Sequence, residues 1–146
     1  MNGKAKTYEK RILEFISANS RNKLIIVRNE LEYLQFNNLN RELSIILHEV
    51  KPGSHFSMKA KDMIAAYFNS ILKNDSDHGM NLTIQDVGIL LQKELQFDFR
   101  VFLDQYSQNQ TLFLKWDGEI IDNKLYFLTK QNGIEIDISD LSHIII

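Results

Sequence analysis

Residues 111–138 read TLFLKWDGEIIDNKLYFLTKQNGIEIDI, and this stretch decides the fold class that the sequence predicts. Short apolar runs are separated by turn signals at 117–118, 122–123 and 132–133, and the last of these is Asn-Gly, the strongest short hairpin signal. Residues 134–138 alternate isoleucine with acidic side chains, which is typical of a strand with one solvated face. The stretch therefore predicts an antiparallel β-meander.

Upstream of the meander, the apolar residues recur mainly with the period of a helix. Four segments have this spacing together with capping or stop signals, and we expect helices over 5–19, 38–50, 58–73 and 84–96. Residues 22–36 fit either a helix or a short buried strand, and both readings stay open. The N-terminal two thirds of the chain is thus predicted to hold about four to five helices.

The apolar period changes at residues 97–103, where alternation favours a strand and a helical continuation is the competing reading. Helices followed by a meander are the α+β pattern. We therefore expect one α+β domain over 1–146, with the helices packed on the C-terminal antiparallel sheet. The last three residues, 144–146, are isoleucines. They would form an adhesive edge if exposed, so they are expected to pair inside the sheet or across a homodimer interface.

Composition narrows the class of protein. The chain has no cysteine, so disulfides, thiolate metal sites and cysteine nucleophiles are excluded. Its first residues are polar and charged where a signal peptide would be apolar, and no apolar run of about 18 residues predicts a membrane span. These features predict a cytoplasmic protein without a membrane segment.

No cofactor, metal or catalytic motif is recognisable. Residues 75–86 have carboxylates at some EF-hand positions, but they lack the glycine and the bidentate glutamate that calcium loops require, so no metal site is assigned. His48, His55, His78 and His143 have no metal-ligand spacing. Glycine-rich phosphate loops are absent as well, and no cofactor is expected. These absences favour a protein without enzymatic activity, although they do not decide the question.

Charge is distributed unequally between the two halves of the chain. Residues 1–73 carry 12 basic and 7 acidic side chains, a net +5, whereas residues 74–146 carry 5 basic and 12 acidic ones, a net −7. An acidic surface repels nucleic acid and attracts basic partners. We therefore expect a protein-binding module that resembles an inhibitor, an immunity protein or an antagonist in acting on a basic protein partner. The expected binding residues are Trp116, Asp117, Glu119, Asp122, Tyr126, Glu135 and Asp137.

Two alternatives stay open. Lys4, Lys6, Lys10 and Arg11 make the N-terminus basic, which would suit a nucleic-acid-associated or transcriptional regulatory module. A small enzyme built on histidines and carboxylates is the third reading. It would require a pocket that holds two titratable groups with displaced pKa values.

Overall fold

The computed structural model of the chain describes residues 3–128 and 133–146. Within these residues there are four α-helices, namely α1 (Gly3–Ser17), α2 (Leu39–Leu47), α3 (Phe56–Ile71) and α4 (Phe99–Tyr106). The strands are β1 (Leu24–Val27), β2 (Asn37–Asn38), β3 (Lys73–Asp75), β4 (Gly79–Gln85), β5 (Thr111–Lys115), β6 (Ile120–Ile121), β7 (Lys124–Phe127), β8 (Ile134–Asp137) and β9 (His143–Ile145). Two short 3-10 helices, Gly88–Leu91 and Lys93–Leu95, follow β4.

The strands of the described residues form two sheets. Sheet A has the strand order β2-β4-β5-β1-β9, and all five of these strands run parallel. Its sixth strand, β3, pairs with β4 in the antiparallel direction. Sheet B is a small antiparallel sheet with the order β6-β7-β8. Elements from all parts of the chain therefore contribute to sheet A.

The predicted fold class, a helical N-terminal two thirds packed on a C-terminal antiparallel meander, is wrong. Strand β5, which contains the TLFLK run, lies between β1 and β4 and runs parallel to both. Within the predicted meander, only β6, β7 and β8 pair in the antiparallel direction. The reason is burial on both faces: the first four residues of β5 are buried, as expected of a central parallel strand and not of a half-solvated meander strand.

The two faces of sheet A have different cover. Leu24 and Ile26 of β1 face a large core that also includes buried side chains of α2, α3, α4 and sheet B. Ile25 and Val27 face the opposite side, where Ile12 of α1 packs with them in a smaller core. Successive strand residues point to opposite faces, and both faces of β1 are covered by these cores. All four residues of β1 are therefore buried. Sheet A is therefore the central layer of the described structure.

Two local predictions are wrong in element type. Residues 84–96 do not form a helix, because β4 continues to Gln85 and 3-10 helices follow it. Thr83, the residue before this range, lies within β4, and its hydroxyl donates to the Gln35 carbonyl at 2.7 Å. For residues 97–103 the favoured strand is wrong and the competing helical reading is correct from Phe99, where α4 begins. The Asp98 carboxylate accepts from the Val101 amide at 3.0 Å and caps this helix.

Other local predictions are confirmed. Helices α1, α2 and α3 lie within a few residues of the predicted 5–19, 38–50 and 58–73. Within 22–36, the strand reading is correct for the segment that forms β1. Residue 132 of the predicted Asn-Gly hairpin turn lies outside the described residues, although β7 and β8 on either side pair in the antiparallel direction.

The terminal isoleucines belong to an edge of sheet A. Strand β9 pairs with β1 in parallel, and the Ile146 amide donates to the Ile26 carbonyl at 2.9 Å. The expected pairing with the sheet therefore holds on one side of β9, which is the outer strand of sheet A in the described residues, and the homodimer stays a prediction. None of the helices in the described part of the chain is long and apolar enough to cross a membrane.

Candidate functional site

Sheet B has one buried and one outward face. The neighbours Leu125 and Ile136 are both buried and belong to the large core. On either side of them in the register, Lys124 is opposite Asp137 and Tyr126 is opposite Glu135. Since strand side chains alternate between faces, these four side chains share the outward face.

Three carboxylates of sheet B and its turns, those of Glu119, Asp122 and Glu135, lie near Tyr126. The Tyr126 hydroxyl donates to the Glu135 carboxylate at 3.1 Å. Burial raises the pKa of Tyr126 above its ordinary value, and the hydrogen bond to Glu135 and the negative charges of Asp122 and Glu119 raise it further. Glu119, Asp122 and Glu135 are all exposed. The arrangement concentrates negative charge on the outward side of β7.

Among the described residues, Lys124 offsets part of this charge. The Lys124 ammonium lies 3.8 Å from the Glu135 carboxylate. At the edge of the sheet, Arg100 forms an ion pair with Asp140, and the hydrogen bond from Arg100 holds the pKa of Asp140 below its ordinary value. Hydrogen bonds from Ser139 lower the pKa of Asp137 in the same way. Both aspartates therefore stay ionised over a wide pH range.

The two predicted aromatic anchors are buried. Trp116 and Tyr126 are each 4% exposed. Trp116 stacks on Phe99 with 6.4 Å between ring centroids, so it is part of the core. An interface anchor must reach a partner, so neither ring is placed as an exposed anchor, and the part of both residues in binding stays a prediction.

The seven predicted binding residues divide into two groups. Glu119, Asp122, Tyr126, Glu135 and Asp137 come together on or beside the outward face of sheet B, which is called the acidic face below. Trp116 and Asp117 directly follow β5 and line a cavity at the carboxyl end of sheet A.

The acidic face also has exposed apolar neighbours. Leu128, which follows β7, is 64% exposed, and Ile134, which begins β8, is 45% exposed. Sequence reasoning did not select these residues, because alternation alone places Ile134 on the buried side with Ile136. They lie at one end of the acidic face and supply apolar area that the buried aromatic rings do not.

The acidic loop over 75–86 is a hairpin and not a calcium loop between helices. Asp75 lies in β3, where its carboxylate accepts from the backbone amides of Asp77 at 3.1 Å and His78 at 2.7 Å. Its second oxygen accepts from the Asn81 side chain at 2.8 Å. The described residues contain no group of three or more His, Asp or Glu side chains arranged to hold a metal ion.

His78 forms a buried polar cluster that the sequence did not reveal. Its side chain is 6% exposed, with Nε2 3.1 Å from a Glu9 oxygen and Nδ1 3.3 Å from an Asp75 oxygen. The ring packs edge-on against Phe113 with 5.2 Å between centroids. Glu9 and His78 are 69 residues apart, so no local pattern connects them. The cluster joins α1 to the β3–β4 hairpin.

Part of the basic N-terminus is engaged within the protein. The Arg11 guanidinium donates to the Ile145 carbonyl at 3.0 Å, and Lys10 lies 3.9 Å from Glu14. The Lys4 side chain lies outside the described residues. The Arg11 contact links α1 to sheet A, whereas the Lys10 pair lies within α1, and neither adds support to the nucleic-acid alternative.

Comparison with known proteins gives no independent indication of function, because no family model, curated protein or solved structure matches the chain.

Proposed function

We propose that the chain is a non-enzymatic protein-binding module that acts on a basic protein partner through the acidic face of sheet B. The observation that carries the proposal is that three exposed carboxylates lie close to Tyr126: Glu135 accepts from its hydroxyl at 3.1 Å, the Glu119 carbonyl accepts from its amide at 2.9 Å, and Asp122 lies in the turn between β6 and β7. In this proposal, the partner's cations neutralise that charge, as an inhibitor, immunity or antagonist protein would do to its target.

Charge complementarity accounts for specificity and speed in this proposal. Like charges that face each other across an interface disfavour binding of wrong partners, and opposite charges accelerate the encounter with the correct partner. Leu128 and Ile134 supply apolar contact at the end of the acidic face. Affinity is expected to fall as the salt concentration rises, because exposed charges are screened over about 8–10 Å at ordinary ionic strength.

Nona-arginine, a defined basic peptide, provides the test. We expect labelled nona-arginine to bind the chain at low salt and to bind at least about tenfold more weakly after Glu119→Lys, Glu135→Lys and Asp137→Lys together. The measurement is fluorescence anisotropy of the peptide at two salt concentrations.

A matched control separates the acidic face from total charge. Glu32, Glu49 and Glu94 are exposed and lie outside sheet B. Reversing these three to lysine changes the net charge by the same amount, so the loss is expected to be much smaller. Equal losses in the two triple variants would refute the acidic face as the binding site, as would an absence of binding to the unaltered chain.

A further inference from the structure

A cavity of about 270 Å³ opens at the carboxyl end of sheet A. It lies where the neighbouring parallel strands β4 and β5 end, at Gln85 and Lys115. In open sheets of parallel strands, ligands bind in crevices at the carboxyl ends of the strands. The cavity therefore lies where a sheet of parallel strands is expected to bind a ligand.

The lining combines carboxylates with apolar surface. Asp86 and Asp117 line the cavity together with Val87, Phe127 and Leu128. Lys115 also lines it, but its ammonium forms an ion pair with Glu30, and within residues 3–128 and 133–146 neither Asp86 nor Asp117 forms an ion pair. An occupant that matches this lining has a cationic head and an apolar stem, as lysine and arginine side chains do.

Asp86 is held in position by its surroundings. Its backbone has a left-handed φ of +52°, and its carbonyl accepts from the Asn40 amide at 2.9 Å. One carboxylate oxygen accepts from the Asn38 side chain at 2.7 Å. A carboxylate offers about four lone-pair sites, so this bond leaves capacity for a ligand.

Trp116 favours an occupant that also carries an acceptor. This residue lines the cavity and is 4% exposed, and its indole N–H has no acceptor among the described residues. It lies beside Gly118, another lining residue, since a Cβ added there would be 3.0 Å from the indole nitrogen. A buried donor without an acceptor is costly. A peptide supplies a carbonyl next to its cationic side chain, whereas a simple amine or guanidine does not.

We infer that this cavity receives an arginine side chain of the basic partner. The inference rests on the proposed function, and it assigns the partner a specific contact beyond the acidic face. The volume is slightly below the 300–1,000 Å³ typical of drug-sized ligand sites, and it suits a group as small as one side chain. Arginine fits better than lysine, because its planar guanidinium binds carboxylates through two hydrogen bonds and stacks on aromatic rings.

Trp116 is the only tryptophan of the chain, so its fluorescence reports on the cavity. We expect nona-arginine to change the Trp116 emission and Asp117→Asn to weaken binding about tenfold, since a charge-assisted hydrogen bond is lost. Asp86→Asn is expected to act likewise, because asparagine tolerates the left-handed backbone and still offers Asn38 an acceptor. The matched control is Asp62→Asn, an exposed carboxylate of α3 that lies outside both the cavity and the acidic face, with less than about twofold loss.

The outcomes separate this inference from the proposed function. Binding by anisotropy with unchanged Trp116 emission, and equal small losses for Asp117→Asn and Asp62→Asn, would overturn the cavity while the acidic face survives. No binding at all would overturn both. We expect nona-lysine to bind about tenfold more weakly than nona-arginine. Butylguanidine producing the same emission change at the same concentration would assign the cavity to free cations and refute a peptide occupant.

Discussion

Sheet A and sheet B differ in how their faces are covered. In sheet A, strands β1 and β5 are covered on both faces, and their side chains read as continuous apolar runs. In sheet B, one face joins the core and the other carries charge. The difference shows that β-branched and aromatic residues indicate a strand. Alternation of apolar with charged residues then indicates that one face of that strand is exposed to solvent.

The largest expected effect contrasts isoleucines of the two sheets. Ile26 is fully buried in β1, whereas Ile134 in β8 is 45% exposed. Ile26→Ala is expected to lower the free energy of unfolding by about 2–5 kcal/mol through lost burial and a cavity, and Ile134→Ala by less than about 1 kcal/mol. Urea denaturation measures both. Equal losses would refute the division between a buried and an exposed sheet.

Gly118 tests the junction between the two sheets. It lies between β5 and β6, and a Cβ there would be 2.1 Å from the Tyr126 carbonyl oxygen. Gly118→Ala is expected to cost about 1–3 kcal/mol, because backbone must move.

Gly88→Ala is the comparison variant. A Cβ at Gly88 would come closest to the end of the Phe127 ring, at 2.8 Å, and a side chain can move more easily than backbone. Thermal unfolding of both variants is the measurement. A greater loss for Gly88→Ala would contradict the close packing assigned to Gly118.

Asn22 allows the stability contribution of a buried polar side chain to be compared with that of the exposed polar side chains of sheet B. Its side-chain amide donates to Asp104 Oδ1 at 2.9 Å and to the Ser107 hydroxyl at 3.0 Å. Asn22→Ala is expected to cost about 1–3 kcal/mol, because buried partners lose their hydrogen bonds. Chemical denaturation at neutral pH measures the loss.

The same residue makes a prediction about pH. Hydrogen bonds from Asn22 and Gln108 hold the pKa of Asp104 below its ordinary value. A lowered folded-state pKa adds stability that is present above the unfolded pKa, near 3.9, and is lost as pH falls through the folded value. In Asn22→Ala the Asp104 pKa is expected to rise toward 3.9, as NMR titration of the carboxyl carbon would measure. An unchanged Asp104 pKa would contradict the assigned cause.

The smallest effect is expected on the acidic face. Glu135→Gln removes the ion pair with Lys124, which is 3.8 Å long and half exposed. Exposed pairs contribute between zero and about 1 kcal/mol, so stability should change by less than about 0.5 kcal/mol. A loss as large as that of Asn22→Ala would show that the face supports the fold, and this would weaken its assignment to binding.

Local sequence patterns predicted more of sheet B than of sheet A. The alternation over 134–138 correctly indicated a strand with outward acids at Glu135 and Asp137. The apolar run of β5 was identified as a strand, but its parallel neighbours β1 and β4 are distant in sequence. Parallel pairing needs a long crossover connection, and such pairing has no local signature. The sheet order could not therefore be derived from spacing.

The sequence allowed the charged residues of the candidate site to be predicted, but it did not show which of the site's aromatic residues are buried. Glu119, Asp122 and Glu135 are exposed, as charged residues usually are. Trp116 and Tyr126 are buried because sheet packing and not residue type decides where an aromatic ring lies. The cavity at the ends of β4 and β5 could not be derived at all, since it depends on two strands becoming neighbours.

Hydrogen exchange with and without nona-arginine tests the central claim most directly, because it locates the bound surface along the chain. The proposed division of labour predicts added protection at residues 117–127 and 134–137, with β1 unchanged. Protection confined to α1, or no change in the peptides of sheet B while nona-arginine is bound, would contradict the assignment of binding to the acidic face.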